Sequence, residues 1–199
     1  MRTVEIKTYT FEELSEKAQE KALDKFRHIN VEYWEWWDYV YEMFKEDTTE
    51  FDVEKIYFSG FWSQGDGAMF EYSGISEKLV HEAIDSLDIP KYKREAMKSE
   101  VVFSANGTHK GHYSHERCCY HAMYFEVNDT HRENIDQLFY EHHTELEEFI
   151  EERYRDLACK LYRQLEEEYE WHTSDDAVKE MLINNEYEFL ENGDTCFDV

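Results

Sequence analysis

The chain is poor in residues that interrupt regular structure, with one proline and seven glycines among 199 residues. Proline fixes φ and removes a donor, and glycine costs backbone entropy. Their scarcity excludes a chain built of loops and linkers and favours long regular elements. No apolar run approaches the roughly 20 residues of a membrane span. The start, Met1-Arg-Thr-Val-Glu-Ile-Lys7, lacks the apolar stretch of a secretory leader, so a soluble, cytoplasmic protein is expected. Cysteine is limited to Cys118, Cys119, Cys159 and Cys196, with no C-x-x-C pair. That is no disulfide framework, and reduced thiols are the simpler expectation. Cations are scarce too: 21 Lys and Arg face 47 Asp and Glu, a net charge of −26. Affinity for phosphate rests on Lys and Arg, so direct nucleic-acid binding is not expected. Acidity of this size favours a partner with a basic surface.

What is present is core material and a skewed charge. Hydrophobic residues make up 41% and aromatic residues 17% of the chain, and disordered chains are poor in aromatics. Residues 131–199 hold 6 basic and 21 acidic side chains, so −15 of the −26 lies in the last third.

The periodicities predict an α+β fold. It comprises an antiparallel β-sheet of about four to five strands, two N-terminal helices and a long acidic C-terminal helical segment. One domain is expected over 1–199, with a helical part over 1–50, the sheet over 51–130 and the acidic helices over 131–199. A short strand over Thr3 to Tyr9 precedes Thr10-Phe-Glu-Glu13, a capping box. The following helix buries Phe11, Leu14, Ala18, Ala22 and Phe26 on one face. A second helix is expected from Val31 to Glu46, with more aromatics (Trp34, Trp36, Trp37, Val40, Tyr41, Phe44) than one stripe holds. From Val53 to Trp62 the period is two, as in a strand. Ser63 to Gly67 forms a five-residue connection to a returning strand over Ala68 to Ser73. A short helix spans Ser76 to Leu87. A third strand over Val101 to Ala105 ends at the turn signal Asn106-Gly107, and strands over His109 to His115 and Cys118 to Val127 complete the series. His131 to Trp171 is helical, with Thr144-Glu-Leu-Glu147 as a possible junction between two stacked helices. Ser174 caps a last helix through Ile183.

Two polar segments carry candidate chemistry. Three of the seven glycines (Gly60, Gly65, Gly67) fall within eight positions around Trp62-Ser-Gln-Gly-Asp66, so this connection has a demanding shape. It lacks the lysine and hydroxyl of a phosphate-binding loop. Asp66 is suited to bonding nearby backbone N–H groups, while Trp62, Ser63, Gln64 and Asp66 are the side chains available for recognition. The second segment, His109-Lys-Gly-His-Tyr-Ser-His-Glu-Arg-Cys-Cys-Tyr-His121, holds four histidines and two cysteines. These are zinc-ligand types, but a spacing of three alternates faces on a strand, and a histidine-rich hairpin is the plainer reading. His112, His115 and Arg117 are expected to share a rim with the first loop. Cys118 or Cys119 beside His115 or His121 is a conceivable thiol nucleophile. A Ser63, histidine and Asp66 triad needs geometry that sequence withholds. No catalytic set, metal or cofactor is assigned. In the last third, Glu147, Glu148, Glu151, Glu152, Asp156, Glu166, Glu167, Glu168 and Glu170 are expected to form carboxylate rows on exposed helix faces. Such rows suit a basic groove.

The runs Ile56-Tyr-Phe-Ser-Gly-Phe-Trp-Ser-Gln-Gly-Asp-Gly67, Gly111-His-Tyr-Ser-His115 and Asn185-Glu-Tyr-Glu-Phe-Leu-Glu-Asn-Gly193 resemble a family of small bacteriophage and prophage proteins, some labelled antitoxin-like. The opening Tyr9-Thr-Phe-Glu-Glu-Leu-Ser-Glu-Lys-Ala-Gln-Glu20 fits the same resemblance, which therefore covers most of the chain. It implies a phage gene product acting in the host cytoplasm. The combined expectation is a non-enzymatic acidic protein, a possible nucleic-acid mimic, that neutralises a host defence or toxin component. The alternatives are a protein that sequesters a nucleotide-like signal on the two hairpins, or a metal-dependent enzyme using His109, His112, His115 and Cys118. The oligomeric state is left open.

Overall fold

The computed structural model describes residues 5–32, 35–127 and 132–195. These form an α+β fold. Helices α1 (Glu16–Phe26), α2 (Ile29–Glu32) and α3 (Asp38–Asp47) precede strands β1 (Phe51–Phe58) and β2 (Ala68–Ile75). Helices α4 (Glu77–Ser86) and α5 (Lys91–Glu100) follow, then strands β3 (Val101–His109) and β4 (Cys119–Val127). The long helix α6 (Arg132–His172) and α7 (Asp175–Asn184) come last. The four strands are antiparallel neighbours in chain order. Two compact units are distinguished, Met1–Asp38 with Leu165–Val199, and Tyr39–Gln164. Among the described residues no helix is long and apolar enough to cross a membrane.

In the first unit the helical stripe predicted from sequence becomes a core. Phe11, Leu14, Ala18 and Ala22 pack with Val178 and Leu182 of α7 and with Phe189, while Phe26 is only partly buried against them. The capping box forms, with the Thr10 N–H donating to the Glu13 carboxylate at 2.9 Å. It closes a single 3-10 turn (Phe11–Glu13), and α1 starts afresh after Ser15. The expected strand over Thr3 to Tyr9 lies partly outside the described residues. Within them it reduces to one bridge, Tyr9 to Phe189. The helix expected from Val31 to Glu46 is interrupted, because residues 35–37 are not helical. Neighbouring side chains on a helix point about 100° apart, so consecutive aromatics cannot all reach one core. The break lets Trp36 bury itself edge-on against Tyr169, with ring centroids 5.6 Å apart. Trp34 lies outside the described residues.

The second unit holds the sheet. Phe70 and Tyr72 of β2 are fully buried and meet Phe44, Phe51 and Tyr154 ring against ring. Helix α6 buries Ile135, Phe139, Leu146, Ile150, Tyr154, Leu157 and Leu161, the three-and-four spacing of one helix face. It runs unbroken through Thr144 rather than as two stacked helices.

Strands β3 and β4 pair at nine consecutive positions, whereas β2 and β3 share one partner pair, Tyr72 with Gly107. Beyond that pair, side chains take over the ladder's work. The Tyr154 hydroxyl donates to the Phe70 carbonyl at 2.8 Å and accepts from its N–H at 3.1 Å. The Glu71 carboxylate accepts from the His109 N–H at 2.8 Å. Buried backbone groups must be paired, and here two side chains supply the partners a neighbouring strand would have given.

Three boundaries differ from expectation. Strand β1 ends at Phe58, so Gly60 to Trp62 belong to a nine-residue loop rather than to the strand. Strand β3 runs straight through Asn106-Gly107. A Cβ on Gly107 would stand 2.2 Å from the Tyr72 ring and 2.7 Å from Cys119 Sγ, so this glycine serves close approach within the sheet and not a turn. Residues 110–118 form a loop instead of a strand, with Lys110 N–H donating to the Cys118 carbonyl at 2.7 Å. Helix α5, which buries only Met97, was not expected.

Candidate functional site

The first loop is built around Asp66. Its Oδ2 accepts from the N–H of Trp62 at 3.0 Å and of Ser63 at 2.6 Å, and its own N–H donates to the Ser63 carbonyl at 3.0 Å. Asp66 is therefore committed to holding the turn. The side chains this turn presents are Trp62, 77% exposed, with Ser63 and Gln64, also exposed.

The second loop leans on the first. At Gly65, where φ is +94°, a Cβ would stand 2.3 Å from the Tyr113 ring, and at Gly67 it would meet His115 Cβ at 2.6 Å. The Tyr113 and His115 rings are stacked at 6.3 Å, and Ser114 between them is buried. Of the residues expected on this rim, His115 reaches the first loop, and its Nδ1 accepts from the Arg117 N–H at 3.2 Å. His112 is exposed. Arg117 is exposed as well and pairs with Glu116 at 3.4 Å. Tyr113 was not singled out from sequence, since only its contact with Gly65 marks it.

The histidines and cysteines do other work. His109 stacks on Tyr57 at 4.5 Å, and its Nε2 bonds the Tyr113 carbonyl at 2.9 Å. Cys118 is buried. Among the described residues no three His, Cys, Asp or Glu side chains gather as a metal ion would require. Cys119 Sγ lies 3.9 Å from His121 Nδ1, which also bonds the Tyr72 hydroxyl at 2.9 Å. Burial pushes the Cys119 thiol up to about 11 and holds the His121 imidazole below its ordinary value. Both are neutral near pH 7, the opposite of the thiolate and imidazolium that a cysteine nucleophile needs. Nearby, the carboxyl of Glu71 is held below the usual range, chiefly by the His109 N–H. Cys196 lies outside the described residues.

The acidic positions of α6 divide into two kinds. Glu147 pairs with His143 at 3.1 Å, Glu151 with Arg155 at 2.9 Å and Glu168 with His172 at 3.2 Å. Glu148, Glu152 and Asp156 are exposed in one line, joined by Glu141 and Glu145. The spacing i, i+4, i+7, i+11, i+15 keeps these five on one helix face. At about 1.5 Å per residue the stripe is about 22 Å long. Glu145 lies 3.3 Å from His142, while Glu148 and Glu152 face no cation within ion-pair distance among the described residues. Exposed Glu166, Glu167 and Glu170 belong to the other unit. Glu141 and Glu145 went unnoticed in the sequence although their spacing with Glu148 was there to find.

No curated protein and no solved structure matches this chain. A family described as a domain of unknown function, DUF8835, matches residues 36–175, a span that contains the sheet, both loops and the acidic stripe. The chain belongs to the DUF8835 family.

Proposed function

We propose that this is a phage-encoded, non-enzymatic protein that binds and neutralises a basic host protein of a defence or toxin system, with its carboxylates standing where nucleic-acid phosphates would. The observation that carries this reading is the α6 stripe of Glu141, Glu145, Glu148, Glu152 and Asp156, exposed on one helix face. A single strand of duplex DNA presents a charge about every 3.4 Å of axis. The stripe offers one about every 5.5 Å along a straight line. Like charges four residues apart weaken a helix by about 0.2–0.5 kcal/mol per pair, so the stripe serves something other than helix stability. The phage origin rests on the resemblance of the Phe58-to-Gly67 and Gly111-to-His115 motifs.

The test is capture from bacterial lysate with the wild type and with Glu141→Gln/Glu148→Gln/Glu152→Gln/Asp156→Asn, followed by a salt series. A basic protein held by the wild type, released by salt and lost by the quadruple variant is the expected result. A partner that ignores the substitutions removes the charge argument.

A second reading has its own support. The exposed Trp62 ring, the stacked Tyr113 and His115 rings and Gln64 lie on two touching loops, a surface suited to an aromatic ligand such as a nucleotide-like signal. Loss of ligand binding in Gln64→Ala and Trp62→Ala, with the quadruple variant unaffected, would favour that reading over the first.

A further inference from the structure

The two edges of the sheet are built differently. Strand β1 carries Asp52, Glu54 and Lys55, and its register shifts twice, between Phe51 and Val53 and between Val53 and Lys55. Lys45 Nζ donates to the Glu54 carbonyl at 3.2 Å on this strand. Charges and bulges are the usual protection of an edge against pairing. Strand β4, at the other edge, has little of it. It pairs with β3 at nine positions without a bulge, and Glu126 is its only carboxylate. Its row Tyr120, Ala122, Tyr124, Glu126 lies opposite Thr108, Asn106, Ser104, Val102 of β3. Tyr120, Tyr124 and Val102 are each more than half exposed. In a chain where 34% of residues are charged, this is an aromatic surface along an open strand, with charge only towards its ends.

We infer that β4 pairs with β4 of a second copy, antiparallel about Ala122, joining two four-stranded sheets into one of eight. The charge pattern selects a second copy over another partner. Among the described residues, Lys110 supplies the ammonium of this surface, 5.7 Å from the Tyr120 ring at one end, and Glu126 stands at the other. A two-fold axis at Ala122 sets Tyr120 against Tyr124 of the second copy, and Tyr124 against its Tyr120. It also sets Glu126 opposite the Cys118 position of the second copy, next to the Lys110 that bonds there. Strands lie about 4.8 Å apart, so Lys110 and Glu126 are about two strands apart, within the reach of their side chains. Each positive end meets a negative end, twice. Aromatic and opposite-charge cross-strand pairs are the units that stabilise a sheet, and a two-fold interface must be self-complementary.

Sedimentation of the full chain over a concentration series tests this. The expected result is a concentration-dependent dimer of twice 24.3 kDa. Lys110→Glu and Glu126→Lys, both at exposed positions, each weaken the dimer about tenfold or more, as loss of about 1.4 kcal/mol requires. The double swap Lys110→Glu/Glu126→Lys restores it. Circular dichroism of each variant confirms an intact fold. A monomer throughout the series overturns the proposal, as does a dimer indifferent to both single swaps or one that the double swap fails to rescue.

Discussion

Within residues 141–156, helix α6 has two faces made under opposite rules. Its inward face (Leu146, Ile150, Tyr154) is fully buried, and its one polar atom, the Tyr154 hydroxyl, is bonded on both sides. Its outward face (Glu141, Glu145, Glu148, Glu152, Asp156) is exposed and mostly acidic, with Arg155 at its border held by Glu151 at 2.9 Å. The inward face is constrained by the sheet, where an unpaired group is costly. Among the described residues the outward face makes hydrogen bonds and ion pairs only within its own helix, so its excess of negative charge calls for an explanation outside the fold. Substitutions on the two faces should accordingly separate stability from binding.

The largest effect is expected at Tyr154. Tyr154→Phe keeps the ring but strands the Phe70 N–H and carbonyl in the core. Each buried unsatisfied group costs about 1–3 kcal/mol, so a loss of about 2–6 kcal/mol is expected in urea unfolding, with the family of aromatic contacts intact. An unchanged midpoint would mean that Phe70 finds other partners and that the hydroxyl is not a substitute for strand pairing.

Gly107→Ala comes next. Its Cβ would collide with the Tyr72 ring and Cys119 Sγ, and overpacking of this kind costs about 1–3 kcal/mol. Were Asn106-Gly107 a surface turn, the same substitution would strain the backbone alone and leave the Tyr72 ring undisturbed, so the NMR signals of the Tyr72 ring in this variant distinguish the two pictures.

This position also shows what sequence could and could not say. The stripes of α1 and α6 were legible because a helix face repeats every three or four residues, and β2 because its run returns from a glycine-marked loop. Gly107 was misleading because the reason for it sits on β2, 35 residues earlier. The single-bridge junction of β2 and β3 was invisible for the same cause: Tyr154 and Glu71 replace ladder bonds through contacts distant in the chain. Helix α5 buries one side chain, Met97, and so leaves almost no period to read. Of the candidate site, the turn role of Asp66 followed from its glycine neighbours, whereas Tyr113 emerged only through its touch on Gly65. The helical spacing of Glu141 and Glu145 was present but was obscured by the many other carboxylates.

The pH dependence is the third test, again of the inward face. His121 is held below its ordinary value by burial, so the folded state binds fewer protons there than the unfolded chain. Its contribution to stability is complete above about pH 6.5 and is lost as pH falls through the lower folded value. The Cys119 thiol, raised to about 11, works at the other end: its contribution is complete below about pH 8.5 and fades as pH rises toward 11. Stability should therefore form a plateau between these limits. An NMR titration in which the His121 ring protonates at or above the value of a free histidine would contradict the acid limb.

The smallest effect on stability, and the largest on recognition, belongs to the outward face. Glu148→Gln/Glu152→Gln/Asp156→Asn removes two like-charge pairs at four-residue spacing, each worth about 0.2–0.5 kcal/mol of repulsion, and breaks no bond of the sheet. Unfolding should be unchanged or up to about 1 kcal/mol more difficult, while capture of a basic partner falls and its salt dependence flattens. The two readouts must move apart for the comparison to hold. If the triple variant instead unfolds more easily, the carboxylates contribute to the fold after all, and their alignment is no longer a sign of a partner.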